Sequence, residues 1–199
     1  MKKRLYVAYG SNLNVEQMGY RCPTAKFYGT GVLENYALQF KGSADCAYAT
    51  IAPKDGSSVP VAVWEIQPKD EKSLDRYEGH PSHYFKKDVP VQLQSGEEVN
   101  AMVYIMNLKM DFGMPSKYYY RTVHQGYLDC GLDTAVLALA LKDSIEHFYS
   151  SAERYPYHQM QMVDDPFDDY DLESRQEEEQ NEADPFYVSD GMKMGGMSI

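Results

Sequence analysis

The chain has 199 residues and a formal net charge of -11, so one well-packed core is within its reach and a second domain is not required. The charge is uneven, because residues 164–199 hold 12 acidic and 2 basic residues whereas residues 1–163 hold 18 and 17. The nearly neutral body excludes the basic face of a nucleic-acid-binding protein, and no apolar run is long enough to span a membrane.

The N-terminal residues and the cysteines indicate the compartment. Residues 1–4 are mostly basic and lead into an apolar run that is too short for a secretory signal. Cys22, Cys46 and Cys130 are odd in number and widely spaced, which fits free thiols better than a disulfide framework or a zinc site. We therefore expect a cytoplasmic protein with reduced cysteines.

A short strand at residues 5–9 opens the domain and runs into the turn Gly10-Ser11-Asn12. The strand has no polar break, which is typical of burial on both faces. The turn can direct several N–H groups to one point and so form an anion cradle, although it also suits a plain strand end. Asn14 is expected to cap a helix over residues 15–20, which Cys22-Pro23 ends.

Four strands rich in Tyr, Phe, Val and Thr are predicted next. They cover residues 25–33, 36–41, 47–52 and 59–66. Glu34-Asn35, Gly42-Ser43 and Asp55-Gly56 supply the breaks between them. Both faces of the last strand are largely apolar, so the sheet either closes on itself or is packed on both sides.

A helical pattern replaces the strands at residues 68–77. Pro68 suits the first turn, and the acidic residues that follow it favour the positive end of the helix. Leu74 and Tyr77 form an apolar i,i+3 pair, and Gly79 is well placed for a left-handed cap.

The remaining elements are a hairpin and two helices. Strands at residues 84–93 and 99–107 are joined by a turn around Gly96. Pro115-Ser116 opens a Tyr-rich helix that ends at Gly126. Asp133-Thr134 caps a last helix, which is rich in Ala and Leu and runs to about Tyr149. The whole predicts an α+β domain over residues 1–155, a small, mostly antiparallel mixed barrel with flanking helices.

Residues 156–199 are predicted to form a flexible acidic tail. Residues 164–185 are charged and punctuated by proline, and residues 191–199 are rich in Gly and Met, so the segment cannot bury enough apolar surface to order itself. Its aromatic residues set among acids are also typical of segments that dock on a basic partner or on the parent domain. These aromatic residues are Phe167, Tyr170, Phe186 and Tyr187.

Glu78 is the candidate proton carrier. It lies just after the last turn of the 68–77 helix, where the negative end of the helix dipole raises the pKa of a carboxyl group. Burial would raise the pKa further and bring it into the range of a general acid or base. An ordinary exposed acid at a helix end is the alternative reading.

The order of these features resembles the gamma-glutamylcyclotransferase-like superfamily, of the AIG2-like or gamma-glutamylamine cyclotransferase type. The resemblance rests on Tyr9-Gly10-Ser11-Asn12-Leu13 after an N-terminal strand, the strand that contains Trp64, the helix end at residues 74–79, and Pro115-Ser116 before a Tyr-rich helix. It covers residues 5–132 and leaves the tail unexplained.

The resemblance implies a small barrel that forms 5-oxoproline from a γ-glutamyl amine or peptide, with Glu78 as general acid/base. The expected substrate-binding residues are Tyr9, Gly10, Ser11, Asn12, Leu13, Tyr84 and Tyr119. Tyr118 and Tyr120 leave the register of the last one open by one residue. The loops at residues 80–84 and 111–115 are expected to select the leaving amine, and the oligomeric state is open.

The reaction needs no external nucleophile, metal or cofactor. The α-amine of a γ-glutamyl compound can attack its own γ-carbonyl and close a five-membered lactam, after a base removes a proton from the amine. His80 and His83 resemble metal ligands but lack a third, so a loop is favoured. Cys22 and Cys46 are expected to be buried and unreactive. The alternative function is a catalytically silent binding or adaptor protein that acts through its pocket or tail.

Overall fold

The computed structural model describes residues 3–43, 46–107 and 109–152. The predicted acidic tail at residues 156–199, with its proposed docking role, lies outside the described residues. None of the helices within the described part has both the length and the hydropathy of a membrane span.

The described residues form five strands and four helices. The strands are β1 (Arg4–Ala8), β2 (Lys26–Ser43), β3 (Cys46–Ile66), β4 (Tyr84–Leu93) and β5 (Glu98–Met106). The helices are α1 (Val15–Arg21), α2 (Pro68–Tyr77), α3 (Lys117–Asp129) and α4 (Ala135–Ala152), and a 3-10 turn at Ser11–Leu13 links β1 to α1.

The five strands form a closed barrel in the order β1-β3-β2-β4-β5. Antiparallel pairs join the strands around the barrel, and β1 closes it by pairing in parallel with β5 at Tyr6 and Met102. The prediction of a small, mostly antiparallel mixed barrel with flanking helices is therefore confirmed. Closure removes the exposed sheet edges that would otherwise invite aggregation.

The prediction of four separate strands after α1 is wrong, because they form two long ones. The break at Gly42-Ser43 is confirmed as the end of β2. The breaks at Glu34-Asn35 and Asp55-Gly56 instead lie opposite each other in the β2–β3 ribbon, where Gly56 N–H donates to Asn35 Oδ1 at 3.1 Å. Asn35 and Gly56 both adopt positive φ, at 62° and 73°, and the pairing register shifts between Glu34 and Tyr36. The turn-forming residues therefore make a bulge that bends the ribbon without ending it.

The α2 helix and the β4 strand have the predicted bounds. Pro68 occupies the first turn of α2, and a reciprocal pair between Gln67 and Asp70 forms a capping box. Gly79 has φ +61°, as the left-handed cap requires. Gly96 has φ +89° in the predicted hairpin turn.

The α3 helix does not end at Gly126 as predicted. It continues to Asp129, and Gly131 with φ +63° follows its end. A Cβ atom at position 126 would lie 2.5 Å from Asn14 N and 2.6 Å from the Leu13 carbonyl carbon. The glycine is therefore a point of close approach between α3 and the turn after β1, which is a packing role rather than a capping one.

The core fills the barrel and the space beneath α3 and α4. Its largest fully buried side chains include Leu13, Phe40, Met102, Tyr127 and Leu141. Val59, Val61, Val63 and Ile66 are fully buried on β3, as the apolar pattern of that strand predicts.

Candidate active site

The turn after β1 is tightly closed by its own backbone. Leu13 N–H donates to Gly10 O at 2.9 Å, and Asn14 N–H donates to Ser11 O at 3.1 Å. Asn14 then caps α1 by accepting from Gln17 N–H at 2.9 Å, as predicted. The N–H groups of Ser11 and Asn12 begin this short turn and have no acceptor within it.

Two contacts hold the turn against the rest of the domain. Leu13 is fully buried, and Gly126 of α3 packs directly on it. On the other side, a Cβ atom on Gly10 would lie 3.3 Å from the Tyr119 hydroxyl and 3.2 Å from Ala49 Cβ. Of the five predicted turn residues, Leu13 is thus a core anchor whose N–H is already used, and Gly10 faces Tyr119.

Tyr84 and Tyr119 meet on the same residue of β3. The Tyr119 hydroxyl accepts from Ala49 N–H at 3.1 Å, and the Tyr84 hydroxyl donates to Ala49 O at 3.1 Å. Tyr120 is buried and Tyr118 is 44% exposed. Tyr119 is partly buried against the core, so Tyr118 is the exposed member of the three consecutive tyrosines.

Glu78 lies at the end of α2 and points back to this turn. It is the C-cap residue, and its N–H donates to Leu74 O at 2.8 Å. Asn12 Nδ2 donates to Glu78 Oε1 at 2.9 Å and to the Tyr6 hydroxyl at 2.7 Å. The carboxyl group is thus fixed to the turn by a side-chain amide whose two protons are both used.

Arg21 contacts the turn from the end of α1. Its Nη1 donates to Asn12 Oδ1 at 2.8 Å and to Ser11 Oγ at 3.2 Å. The guanidinium group stacks 3.7 Å above the centroid of the Tyr77 ring, and the Tyr77 hydroxyl lies 3.1 Å from Ser11 Oγ. Arg21, Asn12 and Glu78 therefore form one continuous polar chain across the turn.

Burial raises the pKa of Glu78 from an ordinary 4.5 to about 7. The positive charge of Arg21 and the hydrogen bond from Asn12 both favour the carboxylate and limit the rise. Glu78 is partly accessible as a residue, whereas its carboxyl group is turned inward and desolvated. A carboxyl group with a pKa near neutrality can both accept and donate a proton.

Buried tyrosines surround this carboxyl group. Tyr6, Tyr9, Tyr84 and Tyr119 all have pKa values raised by burial, with a further contribution from the charge of Glu78. These phenols are therefore neutral near pH 7 and act as hydrogen-bond donors or acceptors only. The Tyr9 hydroxyl is already used, because it donates to Tyr104 O at 2.6 Å.

Sequence reasoning missed Tyr6, Arg21, Tyr77 and Tyr104, which all contact the site or its supports. Tyr104 connects the site to α2, since its hydroxyl donates to Asp75 Oδ1 at 2.6 Å. Lys86 holds the same carboxylate at 2.7 Å. The only sequence signal for Arg21 was a basic residue in the last turn of the helix that follows the Gly10-Ser11-Asn12 turn.

The histidines and cysteines that the sequence offered as possible metal ligands or nucleophiles do not form a reactive site among the described residues. His80 Nδ1 lies 3.1 Å from Tyr84 O, and the described residues contain no group of three His, Cys, Asp or Glu that could hold a metal ion. Cys22 is buried as expected, and burial raises its pKa to about 12. Cys46 is exposed, which contradicts its expected burial, because it begins β3 at the end of the ribbon, opposite Ser43.

A separate cavity of about 380 Å³ lies between the β2–β3 ribbon and the start of α4. Its lining includes Gly31, Pro60, Gln94, Leu132 and Asp133. Among the described residues that line it, Asp133 is the one titratable group, and that carboxylate accepts from Ala135 N–H at 2.9 Å. This lining offers no second group for an acid–base reaction.

A carboxyl group with a pKa near neutrality, held against a polar turn at the end of a small barrel, is suited to acid–base chemistry. Comparisons with known proteins give the family. The family model for gamma-glutamyl cyclotransferase, AIG2-like, matches residues 6–124. The chain belongs to this family, and it is an enzyme of the cyclotransferase type.

Individual relatives agree with the family match. The gamma-glutamylcyclotransferases of Bos taurus and Homo sapiens are 33% and 32% identical to this chain over 136 residues, which cover 64% of it and 72% of each relative. A solved structure of a gamma-glutamyl cyclotransferase is similar with a TM-score of 0.62 and 29% identity, over 73% of this chain and 86% of that one. The family resemblance stated from the sequence is therefore confirmed.

Proposed function

We propose that this cyclotransferase converts a γ-glutamyl amine or γ-glutamyl peptide to 5-oxoproline and the free amine, with Glu78 as general acid/base. One observation supports the role of Glu78: its carboxyl group has a pKa of about 7 and is hydrogen-bonded by Asn12 to the turn after β1. The alternative of a catalytically silent protein is not favoured, because the named relatives are enzymes.

The reaction is an internal acyl transfer. The α-amine nitrogen of the substrate forms a bond to the γ-carbonyl carbon, the bond from that carbon to the leaving nitrogen breaks, and one proton moves from the first nitrogen to the second. Atoms balance without water, a metal or a cofactor. The chain therefore has to fold the substrate back on itself and transfer one proton.

Glu78 is suited to the proton transfer. An α-amino group has a pKa of about 7.7–8.0, so it is mostly protonated at pH 7 and cannot attack until it loses a proton. A carboxylate with a pKa of about 7 can take the ammonium proton at little free-energy cost and release it to water. It can then take the one proton that the attacking nitrogen loses and donate it to the leaving nitrogen. An ordinary glutamate with a pKa near 4.5 would be a much weaker base.

The turn after β1 is suited to hold the γ-glutamyl group. The N–H groups of Ser11 and Asn12 begin the turn, and the Tyr119 hydroxyl lies over Gly10 on its other side. Holding the two reacting ends of one molecule in contact can lower the activation free energy by about 7–11 kcal/mol. Tyr84 and the residues 80–83 follow Glu78 closely in sequence, and we expect them to contact the leaving amine.

The test is a mass-spectrometric assay for 5-oxoproline with purified full-length protein. Substrates are γ-glutamyl amino acids, γ-glutamyl amines and glutathione, each offered to the wild type and to Glu78→Gln. Gln keeps the shape and still accepts from Asn12, but it cannot carry the proton. We expect the wild type to release 5-oxoproline and Glu78→Gln to lose at least about 100-fold in kcat.

Circular dichroism of Glu78→Gln serves as the folding control. A folded Glu78→Gln protein that retains wild-type activity would exclude Glu78 as the acid/base. A wild type that turns over none of the panel would support the catalytically silent alternative. The substrate with the highest kcat/KM identifies the leaving amine.

A further inference from the structure

We propose that Arg21 is a positioning residue that holds Asn12 in the one orientation in which its amide donates to Glu78, and so keeps Glu78 able to act as a base near neutral pH. The proposal rests on the proposed role of Glu78. Arg21 itself need not touch the substrate, since it acts through Asn12.

The orientation argument follows from the hydrogen-bonding groups. A guanidinium group can only donate, so the Asn12 atom that lies 2.8 Å from Arg21 Nη1 must be the oxygen. The amide nitrogen of Asn12 then points the other way, to Glu78 at 2.9 Å and Tyr6 at 2.7 Å. With the amide rotated by 180°, the Asn12 oxygen would face the Glu78 carboxylate and the nitrogen would face a cation, and both contacts would be repulsive.

Arg21 is itself held rigidly. Its Nη2 donates to Gln17 Oε1 at 2.5 Å, its Nη1 also donates to Ser11 Oγ, and its plane stacks on the Tyr77 ring at 3.7 Å. Three directions of contact fix the fork of the guanidinium group, which a flexible lysine ammonium would not reproduce. The orientation of Asn12 is therefore set by the end of α1.

Arg21 is also the charge that acts on Glu78. Six other ionisable side chains interact electrostatically with the Glu78 carboxyl group. They are Tyr6 of β1, Tyr9 after β1, Cys22 after α1, Tyr84 of β4, Tyr104 of β5 and Tyr119 of α3. Burial raises the pKa of each, so all are neutral between pH 5 and 9. Within the described residues, Arg21 is thus the charged group that stabilises the Glu78 carboxylate.

Two further ionisable side chains close to Glu78 in sequence have hydrogen-bond partners other than Glu78. Asp75, three residues before Glu78, accepts from Lys86 and from the Tyr104 hydroxyl. His80 is directed at the Tyr84 carbonyl. A pH profile between 5 and 9 should therefore report the ionisation of Glu78 on the enzyme side.

The experiment measures kcat/KM for 5-oxoproline release from pH 5 to 9.5 in the wild type, Arg21→Met and Arg21→Lys. Removing the cation and the fixed amide should disfavour the carboxylate, so we expect the midpoint of the acidic limb to move up by about one pH unit in Arg21→Met. At pH 7 this shift lowers kcat/KM about five-fold, whereas the ionisation contributes little loss at pH 9. Arg21→Lys keeps the charge and should shift the limb by less.

Gln17→Leu is the graded comparison, because it removes one of the three contacts that fix Arg21 and keeps both the cation and its bond to Asn12. We expect its acidic limb to move by less than that of Arg21→Met. Circular dichroism checks that each variant folds. If Arg21→Met fails to fold, Arg21→Lys decides the question, since an unshifted limb in that variant would contradict the proposal.

A direct titration separates this proposal from the proposed function. In protein labelled with ¹³C at glutamate side-chain carboxyl groups, the Glu78 signal is identified by its loss in Glu78→Gln. A higher midpoint in the Arg21 variant supports the positioning role even in a protein that turns over no tested substrate. A uniform loss of activity at every pH, with an unchanged midpoint, would reduce Arg21 to a structural residue.

Discussion

Asn12 Nδ2 lies 2.9 Å from Glu78 Oε1, although 66 residues separate the two in the chain. This hydrogen bond joins the turn after β1 to the end of α2, and it ties the expected binding segment to the expected proton carrier. Keeping this carboxyl group ionised in a buried position has a free-energy cost.

Replacing Glu78 with Gln should stabilise the protein at alkaline pH. The folded-state pKa of about 7 lies above the ordinary value of 4.5, so the native state binds the proton more tightly than the unfolded state does. The stabilising contribution is full below pH 4.5 and is lost as the pH rises through 7. Gln has no such loss, and Glu78→Gln should gain at most about 3 kcal/mol at pH 8.

Urea unfolding at pH 4.5 and pH 8 measures this difference. The two proteins should have similar free energies of unfolding at pH 4.5 and should diverge at pH 8. Equal stability at both pH values would mean that the Glu78 carboxyl group is not appreciably desolvated.

Gly126→Ala should destabilise the protein and lower its activity. The new Cβ atom would lie 2.5 Å from Asn14 N and 2.6 Å from the Leu13 carbonyl carbon, and both are backbone atoms that cannot move alone. Overpacking of this kind costs about 1–3 kcal/mol, and the displaced turn carries Ser11 and Asn12 with it. Thermal unfolding and kcat/KM measure the two effects.

Gly19→Ala is the matched control on α1. A Cβ atom there meets no atom within 4 Å, so alanine should stabilise the helix by about 0.5–1 kcal/mol. A destabilised Gly19→Ala together with an unaffected Gly126→Ala would contradict the close approach of α3 to the turn.

Tyr119→Phe should lower kcat/KM about ten-fold, the equivalent of about 1.4 kcal/mol. The change removes the hydroxyl over Gly10 and leaves Ala49 N–H without its acceptor, which disturbs the wall of the site. Tyr118→Phe is the control one residue away, where the side chain is 44% exposed, and its kinetics should match the wild type. Equal kinetics for Tyr119→Phe and Tyr118→Phe would contradict a substrate-binding role for the Tyr119 hydroxyl.

Lys86→Met should destabilise the protein by about 1–2 kcal/mol. Lys86 lies 2.6 Å from Glu71 and 2.7 Å from Asp75, and the three side chains are each between 19% and 31% exposed. Burial alone would raise the pKa of Asp75, but the hydrogen bonds from Lys86 and Tyr104 lower it. The contribution of Asp75 is present above its ordinary pKa of 3.8 and is lost as the pH falls below that value.

Lys3→Met is the control for this salt bridge, because the Lys3–Glu65 pair is more exposed, with Lys3 at 53%. Its removal should change the free energy of unfolding by less than about 1 kcal/mol. Urea unfolding at pH 7 compares the variants. A larger loss of unfolding free energy in Lys3→Met than in Lys86→Met would contradict the stabilising role of the contacts from Lys86 to Glu71 and Asp75.

The bounds of a helix or strand were predicted correctly where residues within that segment, such as capping residues, determine its ends. The α2 helix has proline and acids at one end and Gly79 at the other, and its bounds were correct. The β2–β3 ribbon was predicted as four strands, because Asn35 and Gly56 have the composition of turns. Only their pairing across the ribbon makes them a bulge, and such pairing cannot be read from one segment.

The site was predictable to a similar degree. The position of Glu78 after a helix follows from local sequence, and so does the composition of the turn after β1. The partnership of Arg21 with Asn12, and of Asn12 with Glu78, depends on how α1 and α2 pack beside the barrel. Gly126 was misread as a helix end because a glycine that permits close packing looks the same in sequence as one that caps a helix.

The parallel pairing of β1 with β5 constrains when the site can form during synthesis. Tyr6 pairs with Met102, so the first strand has no second neighbour until roughly half of the chain has left the ribosome. The long β2–β3 ribbon pairs locally and can form earlier, whereas contacts of large sequence separation form late. Nascent chains shorter than the end of β5 should therefore contain ribbon structure but no enzyme activity, and activity should appear only after α3, which carries Tyr119 and packs on the turn after β1, has also been added.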